Sequence, residues 1–119
     1  MQLEIKSQQY SNFDVKMTWD IKTLDRKTVI DGVIQNIRYA IMSDIEIWVY
    51  VLDSKGNRVS RAVDLVMPLR LDMYEAASFR VVFPIVVSHG AKLVFTYKYV
   101  GDDGGDGAKW MQSFDSYVP

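Results

Sequence analysis

The chain has 119 residues and a mass of 13.7 kDa, the size of one domain, and it reads as a single domain over residues 1–119. With 49% hydrophobic and 24% charged residues and a net charge of −1, neither a disordered chain nor a polyelectrolyte binder of nucleic acid fits. Cysteine is absent and His89 is the one histidine, which excludes disulfides, thiolate catalysis and zinc or copper centres built on Cys and His.

Met1 to Lys6 shows no basic stretch followed by an apolar run, so it is not read as a signal peptide. Nor does any stretch approach the roughly 18 apolar residues of a membrane helix. No membrane insertion is expected. A chain that starts natively at Met1 is expected in the cytoplasm, and one excised from a longer precursor in the cell envelope or outside it.

Beyond this point the dominant period is two. Phe13, Val15, Met17, Trp19 and Ile21 alternate with Asp14, Lys16, Thr18, Asp20 and Lys22, the mark of a strand with one dry and one wet face. From Thr28 to Ile37, the residues Ile30, Gly32, Ile34 and Asn36 share a face. Asp44 to Asp53 sets Ile45, Ile47, Val49 and Val51 against Glu46, Trp48, Tyr50 and Leu52. Ser54-Lys55-Gly56-Asn57 then links two β-rich runs and predicts a hairpin. The strand leaving it, Arg58 to Val66, stops before Pro68, which has no N–H to give a ladder. Met67 to Ala77 holds at most one short turn.

Alternation resumes from Ala77 to Phe83, with Phe79, Val81 and Phe83 on one face, and ends at Pro84. From Ala91 to Val100 it places Leu93, Phe95, Tyr97 and Tyr99 together. Gly101 to Gly107 keeps neither period and is a loop, and a last strand from Lys109 to Asp115 carries Trp110 and Phe114 on one side. Seven antiparallel strands in a domain of this size predict an all-β fold, a sandwich of two sheets. A closed eight-stranded barrel is the alternative, with its extra strand from Gln2 to Tyr10. The expected core includes Trp19, Ile47, Val49, Phe79, Val81, Phe95 and Tyr97.

Within the middle of the chain, Ile30-Asp31-Gly32-Val33-Ile34-Gln35-Asn36, the strand ending in Val51-Leu52-Asp53, the turn Lys55-Gly56 and Ala77-Ser78-Phe79 resemble the bacterial FxLYD-type domains. The likeness spans roughly residues 28 to 84. It implies an immunoglobulin-like β-sandwich without catalytic residues, usually associated with the envelope or secreted. The residues themselves read as structural. Gly32 in mid-strand marks a close backbone approach or a bulge, and Asn36 and Asp53 are placed to hydrogen-bond turn backbone.

Candidate sites are few. Asp102, Asp103 and Asp106 among glycines have the vocabulary of a calcium loop without the spacing of an EF-hand, so a solvated hairpin tip is the expectation. His89, beside Ser88 in a turn, lacks the elbow a nucleophilic serine needs and reads as a surface residue. The carboxylates Asp14, Asp20, Asp31, Glu46, Asp64, Asp72 and Glu75 fall at turns or on wet faces, where nothing raises a pKa for acid–base work. No cofactor, catalytic cluster or metal site is expected. Arg58, Arg61, Arg70 and Arg80 are scattered, and along the chain Trp48 and Tyr50 neighbour Glu46 rather than Lys or Arg, so no nucleic-acid surface is expected.

What remains is the strand from Asp44 to Asp53, apolar on both faces where a sandwich strand needs only one. Either Leu3 to Tyr10 or the tail near Tyr117 covers Trp48, Tyr50 and Leu52, or those three form an exposed binding patch. The sequence therefore points to a non-catalytic interaction or structural module acting on a protein partner through a sheet face or edge. A small-ligand or carbohydrate-binding domain using exposed aromatics is the alternative.

Overall fold

Period-two side chains give each strand one dry face, and two such sheets bury those faces against each other. The computed structural model describes residues 7–102 and 107–119. Its strands are β1 (Gln8–Ser11), β2 (Val15–Leu24), β3 (Lys27–Asn36), β4 (Ile41–Leu52), β5 (Arg58–Leu65), β6 (Arg70–Leu71), β7 (Ala76–Phe83), β8 (Lys92–Asp102) and β9 (Ala108–Tyr117). No helix occurs among the described residues. The first sheet has the order β1-β2-β3-β7 and the second β5-β4-β8-β9, with the short β6 also on β4. All pairings are antiparallel.

All seven expected core residues, Trp19, Ile47, Val49, Phe79, Val81, Phe95 and Tyr97, are buried. The barrel alternative fails because the two sheets stay separate, and β1 adds to the edge of the first instead of closing a ring. Of the stretch expected to supply it, residues 1–6 lie outside the described residues. Two strands were beyond periodicity. β1 is four residues long with a single large apolar side chain, Tyr10, and β6 has two residues, too short to show a period.

Tyr10 joins an aromatic stack between the sheets. Its ring lies 3.7 Å from that of Phe114, which stacks on Phe95 at 4.9 Å, and Trp19 packs on Phe95 at 4.6 Å. β4 changes phase once. A bulge between Ser43 and Glu46, with Asp44 at a φ of 53°, inserts one residue relative to β8, so Met42 and Ile45 both face inward.

Gly32 makes the close approach expected of it. A methyl group there would stand 2.5 Å from the Thr18 main-chain oxygen and run into the Phe79 ring. Asn36 is fully buried and ties three segments: its amide donates to the Ala40 and Leu71 carbonyls at 2.9 and 3.0 Å, and its side-chain oxygen accepts from the Arg38 N–H. Asp53 closes the β4–β5 hairpin by accepting the N–H groups of Asn57 and Lys55, which hold its carboxyl below the usual range. Gly56 completes that turn at a φ of 83°.

Replacing Gly32 with Ala forces Phe79 or the β2 backbone to move. The variant should lose about 1–3 kcal/mol of stability, as overpacked cores do. Urea denaturation checks this, and an unchanged midpoint would refute the close-approach role.

Candidate functional site

Trp48, Tyr50 and Leu52 alternate with the buried Ile47, Val49 and Val51, so β4 turns them to the outer face of the second sheet. β4 is central there, flanked by β5 and β8. Register sets Trp48 beside Val63 and Thr96, Tyr50 beside Arg61 and Val94, and Leu52 beside Lys92. All three are half-buried.

Here the sequence expectation needs correction. The neighbours that matter come from other strands, and they are basic. Arg58 lies over the Tyr50 ring at 4.1 Å, while Lys98 and Arg61 approach the Trp48 ring at 4.8 and 5.6 Å. Cations over ring faces are attracted by the ring quadrupole, and their stems cover part of the apolar surface. The Trp48 indole N–H donates to Glu46 at 3.1 Å, which orients the ring. Across this face Arg58, Arg61, Lys92, Lys98 and Lys109 stand against Glu46 and Asp115, with Asp44 at one rim.

Apolar side chains continue the patch. Val63, Leu65 and Met111 are exposed by 46%, 64% and 64%. Open grooves border it, among them one of about 800 Å³ by Leu52, Lys92 and Tyr117. One of about 510 Å³ runs between Glu46, Lys98, Lys109, Trp110 and Met111, and another of about 290 Å³ lies by Tyr50, Arg58 and Arg61. Of the expected cover Leu3 to Tyr10, residues 3–6 lie outside the described residues and Tyr10 packs inside the sandwich; Tyr117, of the tail, is exposed at the end of β9.

The outer face of the first sheet is different. Asp31 sits between Arg80 at 2.7 Å and Lys22 at 3.4 Å, and the hydrogen-bonded Arg80 guanidinium holds its carboxyl below the usual range. Both cations there share one carboxylate.

Asp14 departs from its expected wet face. It is fully buried and accepts hydrogen bonds from the Tyr97 and Tyr99 hydroxyls at 2.8 and 2.7 Å. Phe13 and Asp14 precede β2, outside the strand whose alternation they continue in the sequence. In the turn ahead of Val15 the phase is lost, so Asp14 enters the core while Phe13 is 53% exposed. Arg38 donates to the Tyr99 oxygen at 3.0 Å and lies 4.6 Å from the Trp110 ring. No sequence signal marked this cluster, because its members meet only through the pairing of the sheets.

His89 is an exposed turn residue whose Nδ1 lies 2.7 Å from the Pro119 oxygen, and Ser88 beside it is also exposed. Asp103 and Asp106 of the glycine loop lie outside the described residues, and Asp102 ends β8. Among the described residues, no three His, Asp or Glu side chains gather as metal ligands would.

No family model matches the chain, and no curated protein does. Solved structures do. The chain is similar to the GAE domain of GGA2p from Saccharomyces cerevisiae, at a TM-score of 0.67 and 10% identity over 92% of this chain and 94% of that one. The GAE domain of yeast GGA1 gives 0.58 at 11% identity over 92% and 96%. At such identity the likeness is one of fold, and it places the chain among immunoglobulin-like sandwiches.

Burial, and then the bond each makes to Asp14, push the Tyr97 and Tyr99 phenols far above the usual tyrosine range; Arg38 opposes this at Tyr99. Tyrosines of the unfolded chain ionise near about pH 10, so above that pH the unfolded state sheds protons that the folded state keeps. Stability should be unaffected by these groups below about pH 10 and fall progressively above it. Denaturant midpoints across that range check the sign. In an absorbance titration of the folded protein, Tyr97 and Tyr99 should stay protonated until unfolding.

Proposed function

We propose that this protein is a non-catalytic β-sandwich interaction module that binds a protein partner through the outer face of its second sheet, with Trp48, Tyr50 and Leu52 at the centre. The observation that carries this reading is the half-exposed pair Trp48 and Tyr50, set in mid-sheet with cations over both rings and ringed by exposed Val63, Leu65 and Met111. Trp, Tyr and Arg are the residues that dominate binding energy at protein interfaces. A partner surface that is apolar and carries carboxylates satisfies the rings and Arg58, Arg61 and Lys98 together.

The non-catalytic part of the proposal rests on where the carboxylates lie. Asp14, Asp31 and Asp53 are engaged by phenols, cations and turn amides, and each holds the fold. Kinship with the FxLYD-type domains belongs to the same proposal, since Gly32, Asn36 and Asp53, which carry that resemblance, all fix backbone positions.

A photo-crosslinking residue in place of Val63 should capture a protein partner. Trp48→Ser combined with Tyr50→Ser should abolish the adduct at an unchanged melting temperature, and rising salt should weaken it. A loss of several kcal/mol in the double variant would instead mark the face as covered core. Saturable tryptophan quenching by a glycan, without a protein adduct, would replace the proposal with the carbohydrate reading.

A further inference from the structure

The two sides of the sandwich end differently. Where β5 and β7 form the edges, an Asp64 carboxylate oxygen accepts the main-chain N–H of Arg80 at 2.9 Å, so a side chain of one sheet caps an edge group of the other. On the opposite side the first sheet ends in the four residues of β1, while the second ends in the ten of β9. β9 contains no proline to blunt it.

The direction of its backbone groups follows from the ladder. The Val118 N–H donates to the Ala91 oxygen at 2.9 Å, and β8 and β9 pair from Lys92↔Tyr117 to Gly101↔Ala108 without a register shift. Residues in phase with Val118, namely Phe114, Gln112 and Trp110, therefore bond to β8. Lys109, Met111, Ser113 and Asp115 turn their N–H and C=O groups outward.

We infer that β9 is a self-complementary edge that pairs antiparallel with β9 of a second copy of this chain, about a two-fold axis at Gln112. In that register Lys109 faces Asp115 of the second copy, and Met111 faces its Ser113. The four residues with outward backbone groups are then the ones that exchange hydrogen bonds. Trp110 and Phe114, half-buried on the inner face, also meet their counterparts crosswise. Moving the axis to Ser113 or Met111 sets Lys109 against Tyr117 or Ser113, and the charge match is lost. Asp115 already has Lys92 at 3.3 Å, so Lys109 of the second copy completes a cation–carboxylate–cation row.

Sedimentation equilibrium of the full chain should give twice 13.7 kDa. A monomer up to the solubility limit would overturn the inference. Ser113→Pro removes one outward N–H and none that β8 uses, so it should yield a monomer; a dimer that survives it places the interface elsewhere and overturns the inference as well. Should that proline unfold the chain, charge variants decide. Lys109→Glu and Asp115→Lys each set like charges opposite in their own homodimers and should raise the dissociation constant about tenfold or more. Mixing the two restores opposite charges at both positions and should restore the dimer. A mixture that stays monomeric refutes the register.

Discussion

A carboxylate with no exposure is tolerable only when its oxygens are fully engaged, and Asp14 meets that condition through two phenols. It leads into β2 of the first sheet, whereas Tyr97 and Tyr99 stand on β8 of the second. The bond is thus a polar tie across an otherwise apolar interface. Sliding β8 by one residue would turn both hydroxyls to the outside and leave the carboxylate buried without partners. Arg38 follows from the same tie, since it reaches the Tyr99 oxygen and from there spreads over Trp110 and Phe13, fixing the β3–β4 connection against β9.

The two outer faces then diverge in how they treat charge. In the first sheet one carboxylate, Asp31, pairs with both Lys22 and Arg80. On the second sheet Arg58, Arg61 and Lys98 rest on aromatic rings, contacts that leave their N–H donors available. Both faces hold cations. What differs is that Lys22 and Arg80 lie on a carboxylate, whereas Arg58, Arg61 and Lys98 lie on aromatic rings.

Most of the fold was legible in the sequence, because strands with one dry face obey a period of two and the core residues simply repeat it. Gly32, Asn36 and Asp53 were legible too, since each residue type has few reasons to stand at such a place. Asp14 was not, because a period of two does not hold through the turn that precedes Val15. The cations over Trp48 and Tyr50 were hidden for another reason. Arg58, Arg61 and Lys98 are remote from them along the chain, and only the registers of β5 and β8 on β4 bring them near. β6 and the Asp44 bulge leave no periodic trace, being shorter than the pattern that would show them.

The placement of charge has a consequence at distances where no contact exists. Arg58, Arg61, Lys92, Lys98 and Lys109 against Glu46 and Asp115 give the face with the aromatic rings a local positive potential, although the chain as a whole has a net charge of −1. An acidic surface is attracted to that local potential, which favours encounters with this face forward. In physiological salt this field fades over about 8 Å. The orientation is therefore set in the last few ångströms of approach, and it shortens the search for a productive collision more than it strengthens the complex that follows.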